Sequence, residues 1–188
     1  NLVESVSRKD IITYNNTGTY NLLIIDFGIK NNIIRKLLRY SDIKLIICPF
    51  YFNYKGYDGI FISNGPGDPK DCRFTINKLK NILDNKINIP LFGIFLGNQL
   101  LGLACGVDTV KLKYGNRGIN QAVIDLKTKK CYITSQNHGY AIDSNTHGYY
   151  IRRKCIDYSI PLFTNVKCTK LFVSSIKNYD KSNITYNR

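Results

Sequence analysis

Three short stretches concentrate residue types able to do chemistry. The first is GIFLGNQLLG, residues 93–102, where Gly93 and Gly97 flank Phe95 in the G-x-(nucleophile)-x-G spacing of a nucleophile elbow. Such a turn holds its central residue at a strained backbone angle so that the side chain projects above a sheet, and the flanking glycines remove side chains that would clash. The N–H that follows lies at a helix N-terminus, whose dipole favours an oxyanion or a thiolate. With Phe at the centre, the spacing alone reads more simply as a glycine-bracketed strand end. The second stretch is SNGPGDP, residues 63–69. Two glycines around a proline turn the backbone tightly and offer bare N–H groups to a ligand oxygen; a plain tight turn explains it equally well. No GK[ST] follows, so it is not a phosphate loop. The third pairs YGNRGINQAV (114–123) with ITSQNHGYAID (133–143). So many Asn, Gln and Gly residues suggest a surface that hydrogen-bonds an amide or amino acid, and two polar hairpin loops explain them as well.

The elements that must position these stretches alternate along the chain. NLLIIDFG (21–28), KLIICPF (44–50), DGIFIS (58–63) and IPLFGI (89–94) are short apolar runs, the pattern of strands buried on both faces. Between them, 31–40 sets Ile33, Ile34, Leu37 and Leu38 on one helical stripe opposite Arg35, Lys36 and Arg39, and 70–85 spaces Ile76, Leu79, Ile82 and Leu83 likewise. A further helix runs from Leu96 to a stop at Gly106. The expected fold is α/β, a doubly wound, mostly parallel sheet with helices on both faces. TVKLKYG (109–115), INQAVIDL (119–126) and KCYITS (130–135) alternate apolar and polar residues and predict antiparallel strands laid beside the main sheet. Residues 1–20 read as an incoming linker, 21–165 as the domain, and 166–188 as a polar, loosely structured segment, with IPLFTN (160–165) as a short strand. In an open parallel sheet, ligands bind outside the carboxyl ends of the strands, where 63–69 and 93–97 fall.

Bulk properties exclude more than they assign. The 188 residues are 44% hydrophobic and 21% charged, an ordinary globular mix. The formal charge of +14 raises nucleic acid or an anionic membrane as a partner. The lysines are scattered, however, and Asn, Ile, Lys and Tyr are abundant as AT-rich coding would make them, so neither partner is expected. Six cysteines form no CxxC pair and no metal-ligand spacing with His138 or His147, which predicts buried thiols in a reducing compartment and no metal site. No run reaches the length of a membrane span. Without a secretory signal the sequons at Asn15 and Asn183 carry little weight, and the expected location is cytoplasmic. The chain holds no Met, which predicts a fragment or processed piece.

Taken together, SNGPGDP, GIFLGNQLLGLA, KLKYGNRGINQAV and ITSQNHGYAID resemble, in order and spacing, the glutaminase (class I glutamine amidotransferase) domain of glutamine-dependent carbamoyl-phosphate synthetase. LVESVSRKD and LLIIDFGIKNNIIRKLLR also resemble it, the former as the junction from the family's small N-terminal domain, which is expected to be missing from this sequence. The resemblance covers about residues 2–143, and weakly 162–165. It implies hydrolysis of glutamine to glutamate and ammonia, which passes to an ATP-grasp carbamoyl-phosphate synthetase domain or subunit for pyrimidine or arginine synthesis. ATP and Mg are expected in that partner, and no cofactor in this domain. In the family a Cys thiolate attacks the carboxamide to form a thioester, and a His backed by a Glu moves the proton. By motif, Gly65 and Leu96 would supply the oxyanion-hole N–H groups. Gly67, Gln99, Asn137, Gly139 and Tyr140 would hold the glutamine or shape its pocket. His138 matches a motif histidine that is not the catalytic base.

Two departures stand out. The family's Cys falls at Phe95, and the usual His of GxQ is Asn98. Phe95 has no nucleophile and would fill the space of the substrate carboxamide. Cys105 lies about 15 Å along the helix and cannot replace the thiol. The FHPE segment that carries the family's His and Glu does not occur before Arg188. The sequence as written is therefore expected not to hydrolyse glutamine. The alternative reading is a non-catalytic interaction or regulatory domain of an ammonia-using synthetase.

Overall fold

The apolar runs form the strands at the centre of the molecule. The computed structural model describes residues 2–51, 56–85, 89–125 and 128–143. The elements follow in the order α1 (Leu2–Val6), β1 (Ile12–Tyr14), β2 (Tyr20–Asp26), α2 (Asn31–Leu37), β3 (Ile43–Pro49) and β4 (Gly59–Ile62). After a 3₁₀ turn at Pro69–Asp71 come α3 (Arg73–Asp84), β5 (Leu91–Gly93), α4 (Leu96–Ala104), β6 (Thr109–Ile124) and β7 (Cys131–Ile142). The main sheet has the order β1-β3-β2-β4-β5. β2, β3, β4 and β5 are parallel, with Ile24 opposite both Ile47 and Phe61, and Phe61 opposite Phe92. The chain steps outward from β2 to β3 on one side and to β4 and β5 on the other, so the switch point lies at the carboxyl ends of β2 and β4.

Both faces of this sheet are covered. Leu23, Ile25 and Phe27 point into one core with Ile60, Ile62, Leu79, Leu83, Leu96 and Leu100, drawn from β4, α3 and α4. Ile24, Leu45, Ile47 and Phe61 point to the other face, where Ile34 of α2 is buried and Ile33 and Leu37 pack. Alternate positions of one strand thus serve opposite cores, which is why the runs are apolar throughout and do not alternate. Each fully buried Leu or Ile contributes about 1.5–3 kcal/mol relative to exposure.

Two expectations change. TVKLKYG and INQAVIDL do not form separate strands beside the main sheet; they join as β6, which among the described residues pairs with β7 alone, in a two-stranded sheet. The apparent breaks are register shifts between Lys111 and Asn116 and between Gly118 and Gln121, and Gly115 takes φ +70° in the first. A glycine that the sequence presents as a turn is absorbed by an irregularity within a continuous hairpin. The opening segment, expected as a linker, holds two elements: Val3 of α1 is buried, and β1 adds an antiparallel edge with Ile12 opposite Ile47. The expected strand at 160–165 and the segment 166–188 lie outside the described residues.

Candidate functional site

β5 ends at Gly93 and α4 begins at Leu96, leaving Ile94 and Phe95 to make the whole connection. Phe95 takes φ 52° and ψ −112°, a conformation in which a bulky side chain costs about 1–3 kcal/mol. The flanking glycines explain why the turn is nonetheless held. A methyl on Gly93 would meet the Gly97 carbonyl carbon at 2.5 Å, and one on Gly97 would overlap the Ile62 carbonyl of β4. The Gly97 N–H donates to the Ser63 carbonyl at 3.1 Å and to that of Ile94 at 3.0 Å. The Gln99 N–H donates to the Phe95 carbonyl at 3.1 Å, closing the first turn of α4. As the first helical residue, Leu96 has an N–H with no intrahelical acceptor, pointing where the helix dipole is positive. Phe95 is 39% exposed, with the Lys30 Nζ 6.0 Å from its ring centroid.

The loop after β4 lies against this turn. A methyl on Gly65 would overlap the Phe27 carbonyl and stand 2.8 Å from the Leu96 Cδ2, so only glycine lets the two backbones approach. Ser63 Oγ accepts from the Phe27 N–H at 2.9 Å and donates to the Asn64 carbonyl at 2.8 Å. Asn64 Nδ2 donates to the Gly28 carbonyl at 2.8 Å, and its Oδ1 accepts from the Lys30 N–H at 3.2 Å. Asp26, 2% exposed, accepts from the N–H groups of Gly28 and Ile29 at 2.8 Å each. The loops after β2 and β4 are therefore one hydrogen-bonded unit. Gly67 completes the second loop at φ +92°, and Asp68 caps the 3₁₀ turn by accepting from the Lys70 N–H at 2.9 Å.

The hairpin meets the elbow at its base. Gln99, 9% exposed, donates from Nε2 to the Tyr140 carbonyl at 2.7 Å. The His138 Nδ1 lies 2.8 Å from the same carbonyl, and its Nε2 lies 2.9 Å from the Gln136 Oε1. Burial, then the charge of Asp68 and a hydrogen bond to it, holds the Tyr140 phenol above its ordinary pKa. Lys70 pairs with Asp108 at 2.7 Å, just before β6.

Phe95 and Leu96 thus share one turn, Gly65 packs against Leu96 from the loop after β4, and Gln99 and Tyr140 are in direct contact. Gly67 sits two residues beyond Gly65. Asn137 is exposed on β7 opposite Arg117, and no hydrogen bond joins it to the elbow among the described residues. Gly139 faces open space. Sequence reasoning missed Asp26, Lys30, Asn64 and Asp68. Their signal was position: DFGIK and NGPGD directly follow strands at the carboxyl edge. Cys48, Cys72 and Cys105 are buried, and burial pushes the first two thiols up to about 12 and about 11, well away from a reactive thiolate. Among the described residues no helix is long and apolar enough to cross a membrane.

The family Glutamine amidotransferase class-I matches residues 23–163. The chain belongs to the class I glutamine amidotransferase family. Among relatives of this amidotransferase, the carbamoyl phosphate synthase arginine-specific small chain of Candida albicans is 51% identical over 129 residues. That match covers 66% of this chain and 30% of the relative. The multifunctional protein CAD of Squalus acanthias is 45% identical over 143 residues, covering 76% of this chain and 6% of that protein. The amidotransferase chain thus spans under a third of the length of either curated relative. Among solved structures, a glutamine amido transferase from Methylobacillus flagellatus superposes with a TM-score of 0.53 at 14% identity. The superposition covers 66% of this chain and 56% of that one, and it speaks for the fold. The α/β architecture with an added antiparallel segment is that of the family.

Proposed function

We propose that this chain is the glutaminase-type part of a carbamoyl-phosphate synthetase, built to hold glutamine beside the elbow and to work with an ATP-using synthetase domain or subunit. With Phe95 at the apex it does not hydrolyse glutamine. The observation that carries the reading is the elbow itself: Phe95 held at φ 52° between close-packed Gly93 and Gly97, with Gly65 packed against the Leu96 side chain. The named relatives support the synthetase assignment over other amidotransferase pathways.

On this reading a thiol at position 95 would be the nucleophile. Its sulfur would attack the carboxamide carbon, and the carbonyl oxygen, becoming an oxyanion, would take hydrogen bonds from Gly65 and Leu96. With a proton delivered to the amide nitrogen by the family's His, whose FHPE segment does not occur before Arg188, collapse would expel ammonia and leave a thioester. Water deprotonated by the same His would then cleave it to glutamate. Gln99 and Tyr140 join the elbow to the hairpin, and Asn137 and Gly139 sit on the strand that ends there. These residues and Gly67 are assigned to glutamine binding. Phe95 removes the nucleophile and fills the carboxamide position with a ring.

The test is calorimetric titration with glutamine, plus labelling by an electrophilic glutamine chloroketone. Phe95→Ala is expected to bind glutamine more tightly than the natural chain. Phe95→Cys is expected to be labelled at residue 95 far faster than at exposed Cys131. Labelling at residue 95 no faster than at Cys131 would remove the reading. A second reading is also favoured by Phe95: the domain docks on an ammonia-using synthetase and regulates it without turnover. Whole protein would then make carbamoyl phosphate from added ammonia but not from glutamine, and Phe95→Cys would leave that unchanged.

A further inference from the structure

The first eight residues reach into the site's foundations. The Ser7 Oγ donates to the Asp26 carbonyl at 2.6 Å, the Arg8 N–H donates to the Asp26 Oδ2 at 3.0 Å, and the Arg8 Nε lies 3.5 Å from the same oxygen. The other carboxylate oxygen of Asp26 holds Gly28 and Ile29. From there the connection runs through Phe27 and Gly28 to Ser63, Asn64 and Gly65. A second, apolar route runs beside it. A methyl on Gly28 would meet Val6 Cγ2 at 3.0 Å and Pro66 Cδ at 3.7 Å, and one on Gly67 would meet Leu2 Cβ at 3.6 Å. Val3, 1% exposed, pins α1 over these loops.

We propose that Asp26 is a positioning residue of the elbow site and that residues 2–8 set the geometry of the 63–68 loop through it. A single carboxylate divides its two oxygens between the arriving segment and the loop after β2, so neither can shift without the other. Because Gly65 packs directly on Phe27 and Leu96, a displacement of the segment changes where the Gly65 N–H points relative to that of Leu96. Two backbone donors stabilise one oxygen only when both are aimed at it, so the arrangement turns the pose of residues 2–8 into readiness of the oxyanion site. What the loop binds rests on the reading above; the coupling itself does not.

Hydrogen exchange of the natural chain, followed by mass spectrometry, tests it without requiring turnover. Ser7→Ala and Asp26→Asn each cut a link from the segment, while the Asn Oδ1 can still accept from Gly28 and Ile29. Both are expected to speed exchange across 63–68 roughly tenfold, with β3 still protected. Ser7→Thr, which keeps the hydroxyl, is expected to restore natural protection. Faster exchange confined to residues 2–8 would overturn the proposal. So would an equal rise across β3 and α3, or a Ser7→Thr chain as loose as Ser7→Ala. Failure of glutamine to bind would sink the functional reading and leave these rates unchanged.

Discussion

The sheet that carries the elbow and the hairpin that leans on it are built on opposite patterns. In the sheet, Leu23, Ile25, Ile62 and the underlying Leu100 are all at 0% exposure. On the hairpin, Tyr114, Ile119 and Ile133 stand 79%, 85% and 69% exposed. The elbow is held by steric necessity, backbone against backbone at Gly93, Gly97 and Gly65. The hairpin is held at its base by polar contacts, Gln99 to Tyr140, Tyr140 to Asp68 and Lys70 to Asp108, with Ile142 packing over Gly102. A site divided in this way joins a rigid half, suited to aiming groups, to a half whose attachment responds to solvent and charge.

Breaking the rigid half should cost most. Gly97→Ala drives a methyl into the Ile62 carbonyl, which is backbone and cannot yield like a side chain. The expected loss is about 4 kcal/mol or more in urea denaturation, or failure to fold. Leu100→Ala should cost about 3 kcal/mol by leaving a cavity under the sheet, and the hairpin equivalent Ile119→Ala less than about 0.5 kcal/mol. Equal costs for the two would erase the contrast. Phe95→Gly should raise stability by roughly 0.5–1 kcal/mol, because strain relief exceeds the added chain entropy of glycine. An unchanged or lower midpoint would mean that the ring's contacts outweigh its strain.

The smallest effect concerns the Lys70–Asp108 pair, which is solvent-exposed. The hydrogen bond from Lys70 holds the Asp108 carboxyl below its ordinary pKa. Its contribution is therefore present above the unfolded value of 3.8 and is lost as pH falls through the lower, folded value. Hairpin exchange should rise in that window and with salt, and Lys70→Ala should weaken both dependences, leaving the part of the pH dependence that the Thr109 N–H bond to Asp108 contributes.

Much of the sheet was legible because its cause is local. Continuous apolar runs between amphipathic stretches admit few arrangements, and the spacing of Gly93 and Gly97 marks the elbow whatever lies between. β1 escaped notice because three residues, Ile12–Tyr14, carry no periodicity and gain their place only from β3. The hairpin's continuity was hidden by Gly115 and Gly118, which mimic turn signals. The junction of Gln99, Tyr140 and Asp68 was beyond reach of local pattern, since it joins residues about forty and seventy apart. Asp26 carries no sequence mark of its own within an apolar run, although a buried carboxylate there must find partners.

At the apex of the elbow, architecture and reactivity are separable. The surrounding glycines fix the bend, and whatever residue occupies position 95 is presented to the same place. A family of apex variants can therefore be compared as different tools in a single holder, with differences in rate reporting on the tool alone.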